Sequence, residues 1–212
     1  ISQGSLRRGS SAVYLPVWHP EIEEFIELRR PTGGDPNRRS LNLHHGVVIT
    51  DDFMLAVEND DPWELRSPYD NSTVSIVKAR DIWIRLLLAR IETGEPYMLF
   101  IDTVNKLKPE SYKINNLEVK TSNLCVEITL ATGPDHLNKD RTAVCCLSSL
   151  NLETFDEWKD DPKFIEDTMR FLDNVLDDLR QHGVSLAMIE RVGAHSPFGR
   201  VLAAGLRNVS SP

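Results

Sequence analysis

The stretch Ser122-Asn-Leu-Cys-Val-Glu-Ile128 decides more about this protein than any other part of its sequence. Apolar and polar residues alternate in it, and this pattern predicts a β-strand within residues 119–130. Alternate side chains of a strand point to the same face, so Asn123, Cys125 and Glu127 would lie roughly 6–7 Å apart on one face. A buried carboxylate is costly without partners, so the predicted face would line a cavity that binds a ligand.

A second run with cysteines, Thr142-Ala-Val-Cys-Cys-Leu-Ser148, predicts another strand over 143–150. Cys145 and Cys146 are adjacent, so their side chains point to opposite faces and at most one can face Cys125. Periodicity does not choose between them, and the other thiol would be a small core residue. A second thiol one connection away, in a strand that either pairs antiparallel with the first or lies apart from it, favours redox or radical chemistry over simple packing.

A cysteine hydrolase is a competing interpretation, with Cys125 activated by a distant histidine. Such nucleophiles usually lie at a turn or a helix N-terminus, where the thiolate is stabilised. The predicted mid-strand position beside Glu127 disfavours a thiolate and suits chemistry that uses the S–H bond. A metal site is not predicted, because the sequence has no Cys-x-x-Cys pair and His44-His45 lacks ligand spacing.

Composition excludes several classes of protein. The chain has 212 residues, 41% hydrophobic and 26% charged, as is ordinary for a globular domain. Its net charge of −8 argues against a general nucleic-acid surface, and no apolar run approaches the roughly 20 residues that span a membrane. Three cysteines are too few for a disulfide scaffold, so a reducing cytoplasm is expected. The start at Ile1 has no signal-peptide pattern and looks like the middle of a longer protein.

Strands and helices alternate along the chain, and this order predicts an α/β architecture with helices covering a mainly buried sheet. The remaining predicted strands are 11–17, 46–50 and 97–101, and the predicted helices are a segment after Pro20, 51–59, 77–93 and 162–182. A basic segment bounded by glycines, Gly4 to Gly9, precedes the first of these strands. It could hold a phosphate or a base edge, although such charge runs are mostly solvated loops.

The two cysteine motifs with this spacing resemble the large, catalytic subunit of class I ribonucleotide reductase. Other stretches that look like the same family are Arg8-Gly-Ser-Ser-Ala-Val-Tyr-Leu-Pro-Val-Trp-His-Pro20, Phe25-Ile-Glu-Leu-Arg-Arg30, Gly94-Glu-Pro-Tyr-Met-Leu-Phe100 and Phe171-Leu-Asp-Asn174. The resemblance implies that residues 1–178 are part of a ten-stranded α/β barrel with the site inside it. Residues 179–212 do not match the family and form a divergent C-terminal segment.

The resemblance also implies roles for the site residues. Cys125 would be the thiyl-radical residue that abstracts the 3′ hydrogen of the substrate ribose. Glu127 would take the proton of the 3′-hydroxyl, and Asn123 would hydrogen-bond the substrate. Cys145 matches one cysteine of the reducing pair, which becomes a disulfide as the 2′-hydroxyl leaves as water. Cys146 falls where the family carries no catalytic residue.

Effectors and partners are implied in the same way. The opening segment looks like the specificity loop that reports a bound ATP or dNTP effector to the substrate base, with Gln3 and Arg7 or Arg8 as contacts. The substrate would be a ribonucleoside diphosphate, and the product a deoxyribonucleotide for DNA synthesis. The radical would come from a metal-containing small subunit, electrons from thioredoxin or glutaredoxin, and the complete enzyme would contain a large-subunit homodimer. The chain itself would bind no metal.

Departures from the family leave alternatives open. The second reducing cysteine of the family lies N-terminal to Ile1, and the activity-site domain, the C-terminal tyrosine pair, a phosphate-binding loop and the tail cysteines have no counterpart here. We therefore expect that this chain alone does not turn over substrate. A truncated, split or frame-shifted reading frame would explain this pattern. The alternatives are a catalytically silent remnant or nucleotide-binding fragment, and an adenosylcobalamin-dependent reductase, which uses the same thiyl-radical residue.

Overall fold

The computed structural model describes residues 2–3, 7–30, 37, 39–131, 133–134, 138, 140–141 and 148–181. The strands are β1 (Ser2–Gln3), β2 (Arg7–Arg8), β3 (Ala12–Pro16), β4 (His44–Ile49), β5 (Pro62–Arg66), β6 (Thr73–Lys78), β7 (Tyr97–Phe100), β8 (Gly133–Pro134) and β9 (Asp140–Arg141). The helices are α1 (Ile22–Glu27), α2 (Asp51–Asn59), α3 (Ala79–Thr93), α4 (Ile101–Lys106), α5 (Glu110–Ile114), α6 (Phe155–Trp158) and α7 (Phe164–Gln181).

The described chain divides into two compact units. The first is Arg8–Asp140, and the second comprises the described residues of 2–7 and those from 141 onward. The boundary at residue 178 expected from the sequence rests on family resemblance and not on packing, so it stays a prediction. The alternation of helices and strands in the first unit confirms the predicted α/β class.

A parallel sheet of three strands, in the order β3-β4-β7, forms the base of the first unit. Helix α1 connects β3 to β4, and α2, a hairpin and α3 connect β4 to β7. Parallel neighbours require such crossovers, because a tight turn cannot return the chain to the starting edge. The three strands predicted here are confirmed, with ends that differ by one or two residues.

The hydrophobic core lies between one face of this sheet and helices α1, α2 and α3. Leu15, Val47 and Met98 are register partners on that face, and all three pack in the core or against it. The helices contribute the fully buried side chains Ile22, Ile26, Phe53, Ile82 and Leu86. Ile22 and Ile26, like Ile82 and Leu86, lie four residues apart, the spacing that places side chains on one face of a helix.

The hairpin of β5 and β6 was not expected from the sequence. The two strands pair antiparallel, and β6 occupies 73–78, so α3 begins at Ala79 and not at residue 77 as predicted. A signal was present, because apolar and polar residues alternate around Asp70-Asn71, a pair typical of turns. Asn71 has a φ of 59°, the left-handed conformation that asparagine tolerates.

The second unit contains α6 and α7. Helix α7 spans Phe164–Gln181, which confirms the long helix predicted over 162–182. The ring of Trp158 lies 5.0 Å from that of Phe155 and 5.1 Å from that of Phe164, so three aromatic rings form a small cluster before the helix. Among the helices that the structure describes, none is long and apolar enough to cross a membrane.

Candidate functional site

The strand predicted over 119–130 is wrong. Residues 121–130, here named the Cys125 loop, form a loop with a turn at residues 124–125. The turn closes where the Val126 N–H donates to the Asn123 carbonyl at 3.4 Å. Val126 has a φ of 67°, a left-handed conformation that is strained for a β-branched residue. The chain therefore reverses beside Cys125 and does not run straight through it.

Side-chain hydrogen bonds explain why this segment turns. The Asn123 amide oxygen accepts from the Cys125 N–H at 3.0 Å. The Ser122 hydroxyl contacts two carbonyl oxygens, those of Val126 at 2.9 Å and Ile128 at 2.6 Å. Serine and asparagine offer the backbone local partners in this way, and these bonds compete with a strand ladder. The alternation of polar and apolar residues did not distinguish a strand from this turn.

The loop changes where the three predicted catalytic side chains lie. Asn123 is buried, whereas Cys125 and Glu127 are exposed. The predicted common strand face is therefore absent. A cysteine nucleophile was disfavoured because Cys125 was expected in the middle of a strand, and the turn removes that argument. The turn nevertheless leaves Cys125 exposed.

The loop lies against the sheet face that the helices leave free. Tyr14, Gly46 and Tyr97 are register partners on β3, β4 and β7, so they form one row on that face. The Tyr14 hydroxyl donates to the Asn123 carbonyl at 2.8 Å. A bond across 109 residues of sequence thus joins the central row of the sheet to the turn that carries Cys125.

Both tyrosines of this row have perturbed acidity. Burial raises the pKa of Tyr14 to about 12; the Ser122 hydroxyl acts in the opposite direction, and nearby Tyr97, Cys125 and Glu127 add to the rise. Burial also raises the pKa of Tyr97, with contributions from Glu95 and Cys125. Both phenols therefore stay protonated near neutral pH, so each remains available as a hydrogen-bond donor.

The ends of the Cys125 loop are anchored by two other side chains. Asn105 of α4 makes two bonds to Val119, donating to its carbonyl at 2.8 Å and accepting from its N–H at 2.9 Å. The Tyr112 hydroxyl of α5 accepts from the Ala131 N–H at 3.3 Å. The two short helices between strand β7 and the loop thus supply these anchors.

A buried carboxylate organises the amino end of the sheet. Glu95, just before β7, accepts from the His45 N–H at 3.2 Å, contacts His44 Nδ1, and lies 3.7 Å from Arg29 Nε. Burial lowers the pKa of His45, while the Glu95 charge acts in the opposite direction. The cluster ties α1, β4 and β7 together. Among the residues that the structure describes, no group of His, Cys, Asp or Glu is arranged to hold a metal.

The other predicted site residues are only partly described. Gln3 lies in β1, and Arg7 and Arg8 form β2, so the basic segment contributes a two-stranded sheet. Their side chains lie outside what the structure describes. Cys145 and Cys146 also lie outside the described residues, so their predicted roles stay predictions.

Sequence reasoning did not single out Tyr14, Gly46 and Ser122 as parts of the site. A signal for Tyr14 existed, because strand parity places it on the face opposite Leu15 and Val17. Its partner on the loop lies far away in sequence, however, and no local pattern identifies such a contact.

Comparison with known proteins places the chain in a family. Residues 1–185 match the family model of the ribonucleotide reductase barrel domain. The putative ribonucleoside-diphosphate reductase large subunit of Frog virus 3 (isolate Goorha) is 49% identical over 174 residues, covering 82% of this chain and 30% of that protein. The ribonucleoside-diphosphate reductase subunit alpha of Chlamydia muridarum (strain MoPn / Nigg) is 32% identical over 209 residues, covering 84% of this chain and 19% of that protein.

A solved structure agrees with these relatives. The class Id ribonucleotide reductase alpha subunit of Actinobacillus ureae superposes with a TM-score of 0.60 at 30% identity, covering 91% of this chain and 30% of that one. The chain thus spans about 30% of the length of the Frog virus 3 relative. The family match over most of the chain confirms the resemblance seen in the cysteine motifs. The chain belongs to the ribonucleotide reductase large-subunit family, and it carries part of the barrel domain.

Proposed function

We propose that this chain supplies the radical-bearing part of a ribonucleoside-diphosphate reductase, which reduces ribonucleotides to 2′-deoxyribonucleotides for DNA synthesis. The observation that carries the proposal is the exposed Cys125 thiol on an anchored turn, in a chain that matches the reductase barrel domain. Exposure gives a substrate access to the sulfur, and the anchors limit where the sulfur can be. Both properties suit hydrogen abstraction at a defined carbon.

The proposed chemistry divides among the site residues. A thiyl radical on Cys125 takes the 3′ hydrogen of the ribose, and Glu127 takes the proton of the 3′-hydroxyl. Asn123 orients the substrate. Cys145 and a second thiol supply two electrons and two protons and become a disulfide, so the 2′-hydroxyl leaves as water and the 2′ carbon gains a hydrogen. Glu127 returns its proton to the 3′ oxygen. The hydrogen then returns from Cys125 to the 3′ carbon, which regenerates the thiyl radical.

Partners follow from the same proposal. A small subunit with a metal centre generates the radical, thioredoxin or glutaredoxin reduces the disulfide, and ATP or dNTP effectors act through Gln3, Arg7 and Arg8. The complete large subunit acts as a homodimer in the cytoplasm, where thiols stay reduced. The chain alone is inactive, because the second reducing thiol and the radical path are contributed by other segments.

A chimaeric large subunit tests this function. Residues 1–178 replace the matching segment of the Frog virus 3 relative, and deoxyribonucleotide formation is measured with that relative's small subunit and thioredoxin. We expect turnover by the chimaera, none by the 212-residue chain, and loss of turnover in Cys125→Ser and Cys145→Ser. Cys146→Ser is the matched control and retains turnover. A folded chimaera that binds effectors but never turns over indicates a silent remnant, and turnover that needs adenosylcobalamin indicates the other reductase class.

A further inference from the structure

The turn beside Cys125 is strained and therefore needs support. Val126 adopts a left-handed φ of 67°, a conformation in which a Cβ comes too close to the neighbouring carbonyl oxygen. Such residues persist only where surrounding contacts determine their conformation. Ser122 supplies two contacts from within the loop. A contact from the rigid sheet is also needed if the turn is to stay at one place over that sheet.

Tyr14 provides that contact by donating to the Asn123 carbonyl oxygen, the same atom that accepts the hydrogen bond closing the turn. The Asn123 carbonyl accepts from the Val126 N–H inside the turn at 3.4 Å and from the Tyr14 hydroxyl of the sheet at 2.8 Å. The tyrosine bond is much the shorter of the two. A phenol held on β3 thus fixes the acceptor that defines the turn carrying Cys125.

Gly46 makes room for the tyrosine ring. A Cβ at Gly46 would lie 2.4 Å from Cε1 and 2.5 Å from Cδ1 of Tyr14, far inside van der Waals contact. Gly46 is the register partner of Tyr14 on the neighbouring strand β4. Any side chain at this position would displace the ring, and the hydroxyl would then miss the Asn123 carbonyl.

We propose that Tyr14 is a positioning residue that holds the Cys125 turn over the sheet, and that Gly46 is the seat its ring requires. The geometric part stands on the hydrogen bond, the strain at Val126 and the close approach at Gly46. Its consequence for catalysis rests on the proposed function: without the Tyr14 hydroxyl, the Cys125 sulfur is no longer held where the ribose carbon would be.

Native-state hydrogen exchange on the 212-residue chain tests the hydrogen bond, with NMR resolving single amides. In Tyr14→Phe we expect the Cys125 and Val126 amides to exchange about fivefold to tenfold faster, as loss of one hydrogen bond implies. Their resonances should also move, while exchange in the core of α3 stays unchanged. Tyr69→Phe is the matched control, because Tyr69 is 96% exposed. Unchanged exchange and resonances at both amides in Tyr14→Phe overturn the proposal.

A double-mutant cycle tests the seat. Gly46→Ala alone should accelerate exchange at the same two amides as strongly as Tyr14→Phe. In a Tyr14→Ala background the ring is gone, so adding Gly46→Ala should leave exchange at these amides unchanged. A further acceleration in that background would show that Gly46 acts independently of Tyr14 and would overturn this part.

Exchange needs no substrate, so its outcome is separate from that of the proposed function. If the chimaera is active, Tyr14→Phe within it should lower kcat about fivefold to tenfold, because the turn that carries Cys125 and Asn123 is held less firmly over the sheet. Faster exchange in an inactive chimaera would refute the function and keep the positioning role. An active chimaera with unchanged exchange in Tyr14→Phe would support the function and refute the positioning role.

Discussion

The three-stranded sheet and the Cys125 loop lie against each other, yet they are held in place by different forces. The sheet buries one face against three helices, and side chains such as Val47, Ile49 and Phe53 are fully buried. The loop has few such residues and depends on hydrogen bonds from Tyr14, Ser122 and Asn105. Many small apolar contacts support the sheet, whereas each loop contact is individually important.

This difference suits the radical site that we propose at Cys125. A thiol that reacts with a substrate must be exposed, so it cannot be positioned by burial. Hydrogen bonds are directional and can hold an exposed turn over a rigid surface. The strain at Val126 is tolerated because the sheet beside it is stable. Two substitutions and one series of pH values should show that the sheet and the loop are stabilised in different ways.

The largest effect should come from the core beneath the sheet. Phe53→Ala removes a fully buried ring that packs edge-on against Trp63 at 5.1 Å. We expect the free energy of unfolding to fall by about 3–5 kcal/mol, measured by urea denaturation. Leu55→Ala on the same helix is the control, because Leu55 is 56% exposed and should cost far less. Equal losses in the two variants would contradict this account of the core.

An intermediate effect should come from the loop. Ser122→Ala removes a hydroxyl that lies within hydrogen-bond distance of the Val126 and Ile128 carbonyl oxygens and donates its single hydrogen to one of them at a time. We expect a cost of about 1–2 kcal/mol, with faster amide exchange confined to residues 121–130. Ser75→Ala on the exposed strand β6 is the matched control. If exchange accelerates equally in the sheet, the loop is not the separate region described here.

The smallest effect should appear at alkaline pH. The pKa of Tyr14 rises from 10.0 to about 12 on folding, so its contribution to stability is complete below about pH 10. Between pH 10 and 12 the unfolded state ionises while the folded state does not, and the contribution is lost. We expect the stability difference between the wild type and Tyr14→Phe to be constant from pH 8 to 9 and to shrink above 10, in urea denaturation at each pH. A stability difference that grows above pH 10 would contradict a pKa of Tyr14 that is raised by folding.

The sequence predicted the sheet and its helices well because their signals are local. Strands at 11–17, 46–50 and 97–101 and the helix at 51–59 appear within two residues of the expected bounds. Helical spacing of apolar residues is a direct consequence of burying one face. The hairpin of β5 and β6 was not predicted, although the turn residues Asp70-Asn71 and the alternation of apolar and polar residues on either side are visible in the sequence. A local signal was therefore present and was overlooked.

The strand assigned to the Cys125 loop fails for a different reason. Alternation of Asn123, Cys125 and Glu127 with apolar residues suits a strand, but a strand also needs a neighbour to bond with. In the part of the chain that the structure describes, residues 121–130 pair with no strand. Their backbone groups bond instead to Ser122, Asn123 and Tyr14. The family was recognised correctly from this motif, whereas its local geometry was not, and the catalytic roles of Asn123, Cys125 and Glu127 stay predictions.

Residue identity and spacing alone established the α/β class, most helices and strands, and the family to which the cysteine motif belongs, since these depend on local pattern. The tertiary structure decided that the motif turns, that its thiol is exposed, and that Tyr14 and Gly46 hold it. The turn rests on local bonds from Ser122 and Asn123, which periodicity does not distinguish from a strand. Its place over the sheet arises from a contact between residues 14 and 123, which only folding brings together and which no periodicity in the chain encodes.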